Sequence, residues 1–408
     1  MNILVLANKV PYPPNDGGAI ATMNMIQGLT NAGASISLLA MSTPKHKRSI
    51  ANVPINIKNK LKVDIVDVDT NINLAKVIIN LVFSNEPYNA SRFKSKAFER
   101  RLKEILANNT FSIVQLEGAY LYYYIPLIQK YHKGKIALRA HNVEHEIWLR
   151  ASTNQKNLFK KWYFGILSNR IREMESRLIS KIDFLIPITD RDFRLFKSMG
   201  YNGAYQVSPV GYKLNNDATN RQEENERYSI FHLGGLDWLP NQEGIIWFLN
   251  NCWEAILEEL PSARFFIAGR NAPINFIKKI QRYTGVVYCG EINDSTNFIR
   301  TKGIMIVPIL SGGGMRVKIV EGMALGKAIV STPIGAEGIG ATNGSEIIIA
   351  SSPEEMSTAL ISLLTNNEKT SQIGKLAQQF AKLHFNNEII TQNLLSFYMQ
   401  HTINGKDC

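Results

Sequence analysis

Cysteine is scarce. Cys252, Cys289 and Cys408 are the three in 408 residues, odd in number and far apart, which excludes a disulfide framework and a zinc knuckle. Long apolar runs are missing too: "VIINLVF" (77–83) and "YLYYYIPLI" (120–128) fall well short of the roughly 20 residues that cross a bilayer. The start "MNILVLANKV" shows neither a basic leader nor a small-residue cleavage site, so it reads as a first strand, and a cytoplasmic protein is expected. The G-x-G-x-x-G dinucleotide fingerprint is absent after that strand. Acidic charge is short in one half only. Residues 1–212 hold 29 Lys+Arg against 15 Asp+Glu, net +14, and 213–408 hold 17 against 19, net −2, which sums to +12. Such an excess favours an anionic partner for the first half, an anionic membrane surface or a phosphorylated acceptor. A merely solvated basic surface is the alternative, and no nucleic-acid partner is expected.

What is present is ordinary for a folded enzyme: 45% hydrophobic and 20% charged residues over a length that suits two domains of about 200 residues. Short β-rich runs alternate with helical-period segments, the pattern of parallel sheets crossed by helices. In order these are "ILVLA", a helix over 18–31, "SISLLA", "KVDIVDV", helices within 74–108, "FSIVQL", "KIALRA" and "FLIPIT". After the polar stretch "SPVGYKLNNDATNRQEENERY" (208–228) the pattern restarts with "SIFHLG", a helix over 241–259, "ARFFIAG", "GVVYCG", "GIMIVPI" and "KAIVSTP". The sequence therefore predicts an α/β protein of two Rossmann-like, doubly wound domains, 1–212 and 213–386. A last helix, 387–402, is expected to pack back on the first domain. Ligands of such folds lie at the carboxyl ends of the strands, here in a cleft expected between the two domains.

The strand-to-helix loops are thus the places to look. Gly17 and Gly18 follow the first strand at a helix start, where bare backbone N–H groups suit an anion; a plain turn is the alternative. His141 follows "KIALRA", where its imidazole meets a sugar hydroxyl or takes a proton. His141, Glu144 and His145 also spell H-x-x-E-H, a zinc hydrolase signature that would need a third ligand such as Glu173. "DVD", Asp67 and Asp69, imitates a nucleotide-metal motif, but the two-domain pattern favours a polar strand end. In the second half Gly234 and Gly235 follow a strand in "FHLGGLDWLPNQ", and Gly269 and Arg270 follow another in "IAGRNAP".

The densest loop is "SGGGMRVKIVEGMALG" after "GIMIVPIL". Gly312, Gly313, Gly314 and Met315 bring backbone N–H groups to a helix start, and Arg316 and Lys318 add charge for a diphosphate. Glu321, about one turn beyond Lys318, suits the paired hydroxyls of a ribose. A surface salt bridge among the three charges is the other reading.

"GGGMRVKIVEGMALGKAIVSTPIGAEGI", "LDWLPNQEGIIWF" and "RAHNVEH" together resemble the retaining GT-B fold glycosyltransferases of family 4, in their bacterial exopolysaccharide branch. The resemblance covers nearly the whole chain. It implies a hexosyltransferase-type enzyme moving sugar from a nucleotide diphosphate sugar, without a metal or other cofactor, to a glycan or lipid-linked acceptor on the first domain. The basic, aromatic-bearing segment "LFKKWYFGILSNRIREMESRLISK" (158–181) suits a peripheral position at the inner membrane face, and a solvated helix packed on its domain is the equal alternative. Glu321 matches the family's ribose-binding glutamate, and Gly313 stands where its partner glutamate, eight positions earlier, is expected. The family's Arg and Lys after the first strand of the second domain are replaced by "GGLDWLPNQ", which leaves Arg316 and Lys318 to supply charge. Gly17, Gly18 and His141 fall on the family's glycine loop and sugar-side histidine. A GT-B epimerase or phosphorylase would use the same cleft.

Overall fold

The computed structural model describes residues 1–45, 47, 61–213, 226 and 228–403. Most of the polar stretch expected at the domain boundary, and Cys408, lie outside them. The chain divides into two compact units, Met1–Gly211 with Asn387–Cys408, and Tyr212–Asn386.

Unit 1 is built on seven strands, β1 (Asn2–Ala7), β2 (Ser35–Ser42), β3 (Lys62–Asp67), β4 (Ile113–Glu117), β5 (Lys135–Ala140), β6 (Phe184–Pro187) and β7 (Ala204–Tyr205), in the order β3-β2-β1-β4-β5-β6-β7. Every pairing is parallel. Helices cover both faces, so the inner strands are apolar on both sides, as in "ILVLA". Successive residues of β1 serve two cores. Leu4 and Leu6 pack with Leu39, Phe98 and Leu138, whereas Ile3 and Val5 pack with Ile26, Leu29 and Leu38.

The second of those cores is closed from far along the chain. Leu394, Phe397 and Tyr398 of the helix Asn387–Ile403 enter it, and Asn387 donates through Nδ2 to the Asn24 carbonyl of the helix Gly17–Asn31 (2.9 Å). Gly28 permits the approach, since a Cβ there would lie 2.5 Å from Thr391 Cγ2. The last segment of the chain is thus part of unit 1.

Unit 2 repeats the plan with six parallel strands, β8 (Ser229–Leu233), β9 (Arg264–Ala268), β10 (Val286–Gly290), β11 (Ile304–Val307), β12 (Ile329–Ser331) and β13 (Ile348–Ile349), ordered β10-β9-β8-β11-β12-β13. The α/β, doubly wound architecture expected from the alternating pattern is the one found. The two-residue strands β7 and β13 carry too little periodicity to be read beforehand. The single helix expected over 241–259 is two, Leu239–Asn251 and Trp253–Glu259, parted at Cys252 (φ −124°). The break lets Trp253 bury its ring against Phe248 and Phe265 while Nε1–H donates to the Thr284 carbonyl (2.8 Å).

In each sheet the strand order reverses once, between β1 and β4 and between β8 and β11. At such switch points the carboxyl-end loops diverge and leave a crevice. Gly244, on the helix Leu239–Asn251, seats that helix on the loop leaving β11: a Cβ there would stand 2.1 Å from the Pro308 carbonyl oxygen. Backbone cannot rotate aside as a side chain does, so Gly244→Ala should destabilise the protein by about 1–3 kcal/mol. Urea unfolding checks this, and a midpoint equal to the parent's would show that the helix is not seated there.

Candidate functional site

At the mouth of unit 1 the last residue of β4, Glu117, is buried. Its Oε2 accepts from Thr22 Oγ1 (2.8 Å), His141 Nε2 (2.8 Å) and Arg139 Nη1 (3.3 Å), and Oε1 accepts from Gln115 Nε2 (2.5 Å). Burial by itself would raise this carboxyl. The Arg139 charge and the bonds from His141 and Thr22 outweigh it and hold Glu117 at about 2. Gln115 in turn accepts from Tyr398 Oη (2.7 Å). Since an ionised carboxylate can only accept, His141 gives it the Nε2 proton, and Nδ1 is the nitrogen left for a substrate hydroxyl.

The H-x-x-E-H residues do not converge. The helix Glu144–Thr153 starts at Glu144, so His141 stands before it and shares no helical face with His145. His145 Nδ1 and the backbone N–H groups of Glu144 and His145 all donate to buried Glu175, which caps that helix from the helix Leu158–Ile179 (2.7, 2.7 and 3.3 Å). Tyr120 Oη donates to Glu144 (2.9 Å), and burial with the neighbouring Glu175 charge pushes the Glu144 carboxyl up to about 7. Glu173 pairs instead with exposed Arg177 (3.1 Å). Asp67 ends β3, and Asp69 accepts the Asn71 N–H in a local turn (3.0 Å). Gly17 and Gly18 open the helix Gly17–Asn31 behind Asp16, whose Oδ1 accepts from Ala19 N–H (2.9 Å) and Lys9 Nζ (2.5 Å).

In unit 2 the loops after β8, β9 and β11 meet. Gly269 lies so close to the Gly234 carbonyl that a Cβ would fall 1.7 Å from its oxygen, and the Arg270 carbonyl accepts from Leu236 N–H (2.9 Å). Asn241 donates to the Gly235 carbonyl (2.7 Å) and accepts from Lys318 Nζ (3.0 Å), so one amide fixes loop and lysine together. Lys318 Nζ also meets His232 Nε2 (3.2 Å). The His232 Nδ1 lies against the Ile306 carbonyl (3.1 Å), which can only accept; Nδ1 therefore carries the proton and Nε2 takes one from Lys318. Burial holds this imidazole well below its usual range, so it stays neutral. Burial, then the Arg316 charge, brings Lys318 down to about 7.

The glycine run leads into the helix Val317–Ala324. Gly312 and Gly314 take the left-handed backbone (φ 102° and 78°) that glycine alone adopts without strain. Arg316 is buried, its guanidinium 5.3 Å over the Trp238 ring and bonded to the Gly313 carbonyl, with Met315 packed beside the core just before it. Glu321 accepts from Ser295 Oγ (2.8 Å) and not from Lys318, and burial raises its carboxyl. A salt bridge between Lys318 and Glu321 is therefore not what this helix makes. Gly235, Gly269, Arg270, Gly312, Gly313, Gly314, Lys318 and Glu321 all belong to one unit, and Gly17, Gly18 and His141 to the other.

Residues that motif reading passed over complete both mouths: Glu117, Gln115 and Arg139 in unit 1, and His232, Asn241, Trp238 and Ser295 in unit 2. A carboxylate at a strand's carboxyl end before a glycine, "VQLEG", was the available signal for Glu117.

Removing the charge at Glu117 strands buried Arg139, so Glu117→Gln should cost about 3–5 kcal/mol. The half-exposed pair of Asp64 with Arg101 (2.6 Å) is a control: Asp64→Asn should cost less than about 1 kcal/mol. Glu117 is depressed in the fold, so its contribution is complete above about pH 4.5 and is lost as pH falls towards about 2. Urea melts along that range check the sign, and stability rising on acidification would contradict it.

Residues 227–366 match the profile of the family described as Glycosyl transferases group 1. A Klebsiella pneumoniae protein described as an uncharacterized 44.6 kDa protein in the cps region is 22% identical over 400 residues, 96% of this chain and 98% of that one. Among solved structures, Anabaena HepE in complex with UDP and glucose has TM-score 0.69 at 12% identity, covering 98% of this chain and 100% of its own. Sucrose-phosphate synthase from Thermosynechococcus elongatus has TM-score 0.69 at 14% identity, with 99% and 100% covered. The chain has the GT-B fold, and the family match within unit 2 joined to this whole-chain likeness supports a GT-B glycosyltransferase.

Proposed function

We propose that the protein is a hexosyltransferase of the family 4 type, which moves a sugar from a nucleotide diphosphate sugar, with retention, to a glycan or lipid-linked acceptor of a bacterial surface polysaccharide. Unit 2 takes the donor and unit 1 the acceptor, at the cytoplasmic face of the membrane. No metal takes part. The observation that carries this reading is Lys318, a half-buried cation on a helix led in by glycines and paired only with neutral groups among the described residues. A diphosphate supplies the missing negative charge, and fixed donors of this kind stabilise charge developing on a leaving diphosphate. The HepE structure with UDP and glucose and the cps-region relative support the donor and the surface-glycan setting.

The roles then separate. Lys318 meets the diphosphate, Arg316 braces the glycine run against Trp238, and Glu321, whose Oε2 accepts no bond from the described residues, takes the ribose hydroxyls. His141, oriented by Glu117, addresses a sugar or acceptor hydroxyl through Nδ1.

Lys318→Met should weaken nucleotide diphosphate binding by about one to two decades, since a bond to a charged group is worth about 1.5–3 kcal/mol. It should leave nucleoside binding unchanged and melting unchanged or higher, because a half-buried cation without a counter-charge is gone. Glu321→Gln should weaken both ligands. Calorimetry settles this, and a Lys318→Met variant binding diphosphates like the parent would remove the cradle from this place.

Because Lys318 sits at about 7 without ligand, anion binding favours its charged form and draws in a proton above that pH. Affinity of the parent should therefore fall by up to about tenfold per pH unit well above pH 7, and that slope should vanish in Lys318→Met. Sugar transfer should also survive excess EDTA. Loss of activity that manganese or zinc restores would refute the metal-free reading.

A further inference from the structure

The helix Leu74–Phe83 has no buried residue. Leu74, Ile78, Ile79, Val82 and Phe83 are 58–82% exposed, and at 100° per residue they fall within one half of the helix surface. Yet both ends are fixed to unit 1. Asn73 caps the start by accepting from Lys76 N–H (3.1 Å) and donates its own N–H to Tyr88 Oη (3.0 Å). At the other end Arg170 donates to the carbonyls of Asn80 (3.1 Å) and Leu81 (2.8 Å). Arg170 belongs to the helix Leu158–Ile179, whose first turns expose Leu158, Phe159 and Trp162 beside the exposed lysines Lys156, Lys160 and Lys161. An ordered, exposed apolar helix face, together with exposed apolar residues that have lysines beside them, is complementary to a bilayer with an anionic face.

A cavity of about 490 Å³ opens at the root of this helix, at the carboxyl ends of β1, β2 and β3. Lys9, Lys45 and Arg92 line it, with Asn8, Asn71 and Ile72. Arg92 Nη1 donates to the Thr70 carbonyl (2.6 Å), while its buried Nε has no hydrogen-bond partner among the described residues. Ile72 is shared: it lines the cavity and is 66% exposed at the edge of the apolar surface. A ligand with an anionic group joined to an apolar chain meets both.

We propose that unit 1 docks on an anionic bilayer through Leu74–Phe83 and receives in this cavity the phosphate of a lipid-linked acceptor. This rests on the reading of the acceptor as lipid-linked; vesicle binding is measured without sugar transfer, so the two fail separately. The full chain should sediment with vesicles of phosphatidylcholine plus phosphatidylglycerol and not with phosphatidylcholine alone, less so as salt rises. Ile78→Ser/Val82→Ser should weaken that binding by about tenfold or more without lowering the melting temperature. Lys45→Gln and Arg92→Gln should leave vesicle binding within about twofold but weaken the binding of soluble geranyl phosphate by about tenfold. Equal binding to neutral and anionic vesicles, or parent-like binding by the serine variant, overturns the docking surface. So does a dimer of the parent that the serine variant converts to monomer, since a second copy would then cover this face. Inorganic phosphate binding as tightly as geranyl phosphate overturns the lipid assignment of the cavity.

Discussion

The buried carboxylate of Glu117 is the constraint on which the mouth of unit 1 depends. Four donors meet it, from the helix Gly17–Asn31, from β4, from β5 and from the loop beyond β5. Through Gln115 it reaches a fifth element, the returning helix that carries Tyr398. A charge in such a place is tolerable only when every acceptor site is filled and a counter-charge lies in contact. Meeting those conditions brings together the elements that flank the switch point between β1 and β4. The orientation of His141 is therefore a consequence of core electrostatics as much as of its own loop.

Unit 2 follows the opposite policy with the half-buried charge of Lys318. Lys318 has a neutral imidazole and a carboxamide as partners, and Arg316 nearby adds a second positive charge. Glu117 is compensated inside the protein, and on the proposed reading Lys318 is compensated by the donor's diphosphate. That arrangement costs stability in the unliganded chain and makes the same groups ready for an anion without reorganisation. On the proposed reading the two mouths differ in kind, one a closed network that aims a histidine and the other an open one that takes a ligand.

The alternation of apolar runs with helical periods made the architecture legible, because a strand buried on both faces is apolar along most of its length, as "ILVLA" of β1 is. The glycine run before Lys318 was legible for a similar reason: positive φ at Gly312 and Gly314 leaves few other residues that fit. Tertiary partners were not legible. Arg316 looks in sequence like a second phosphate cation, and only the placement of Trp238, 78 positions earlier, reveals that its guanidinium lies over a ring. Glu117 ends β4 two residues after Gln115, and His232 lies in β8 beside apolar Phe231 and Leu233; neither position names its tertiary partners, and H-x-x-E-H imitates a helix-borne pair although the helix begins after His141.

Charge is divided between the units in the same sense as these sites. The positive excess lies in residues 1–212, whereas the cradle around Lys318 belongs to a half of slight negative net charge. Some of the cations of residues 1–212 lie where unit 1 shows apolar surface, at Lys156, Lys160 and Lys161, and others line the cavity, at Lys9, Lys45 and Arg92. A free nucleotide needs only local charge, since one lysine and a few N–H groups match a diphosphate. A surface that must find a two-dimensional anionic partner gains from many weak charges acting at a Debye length. Few buried charges in unit 2 and many exposed ones in unit 1 are what a soluble donor and a membrane-borne acceptor would each require.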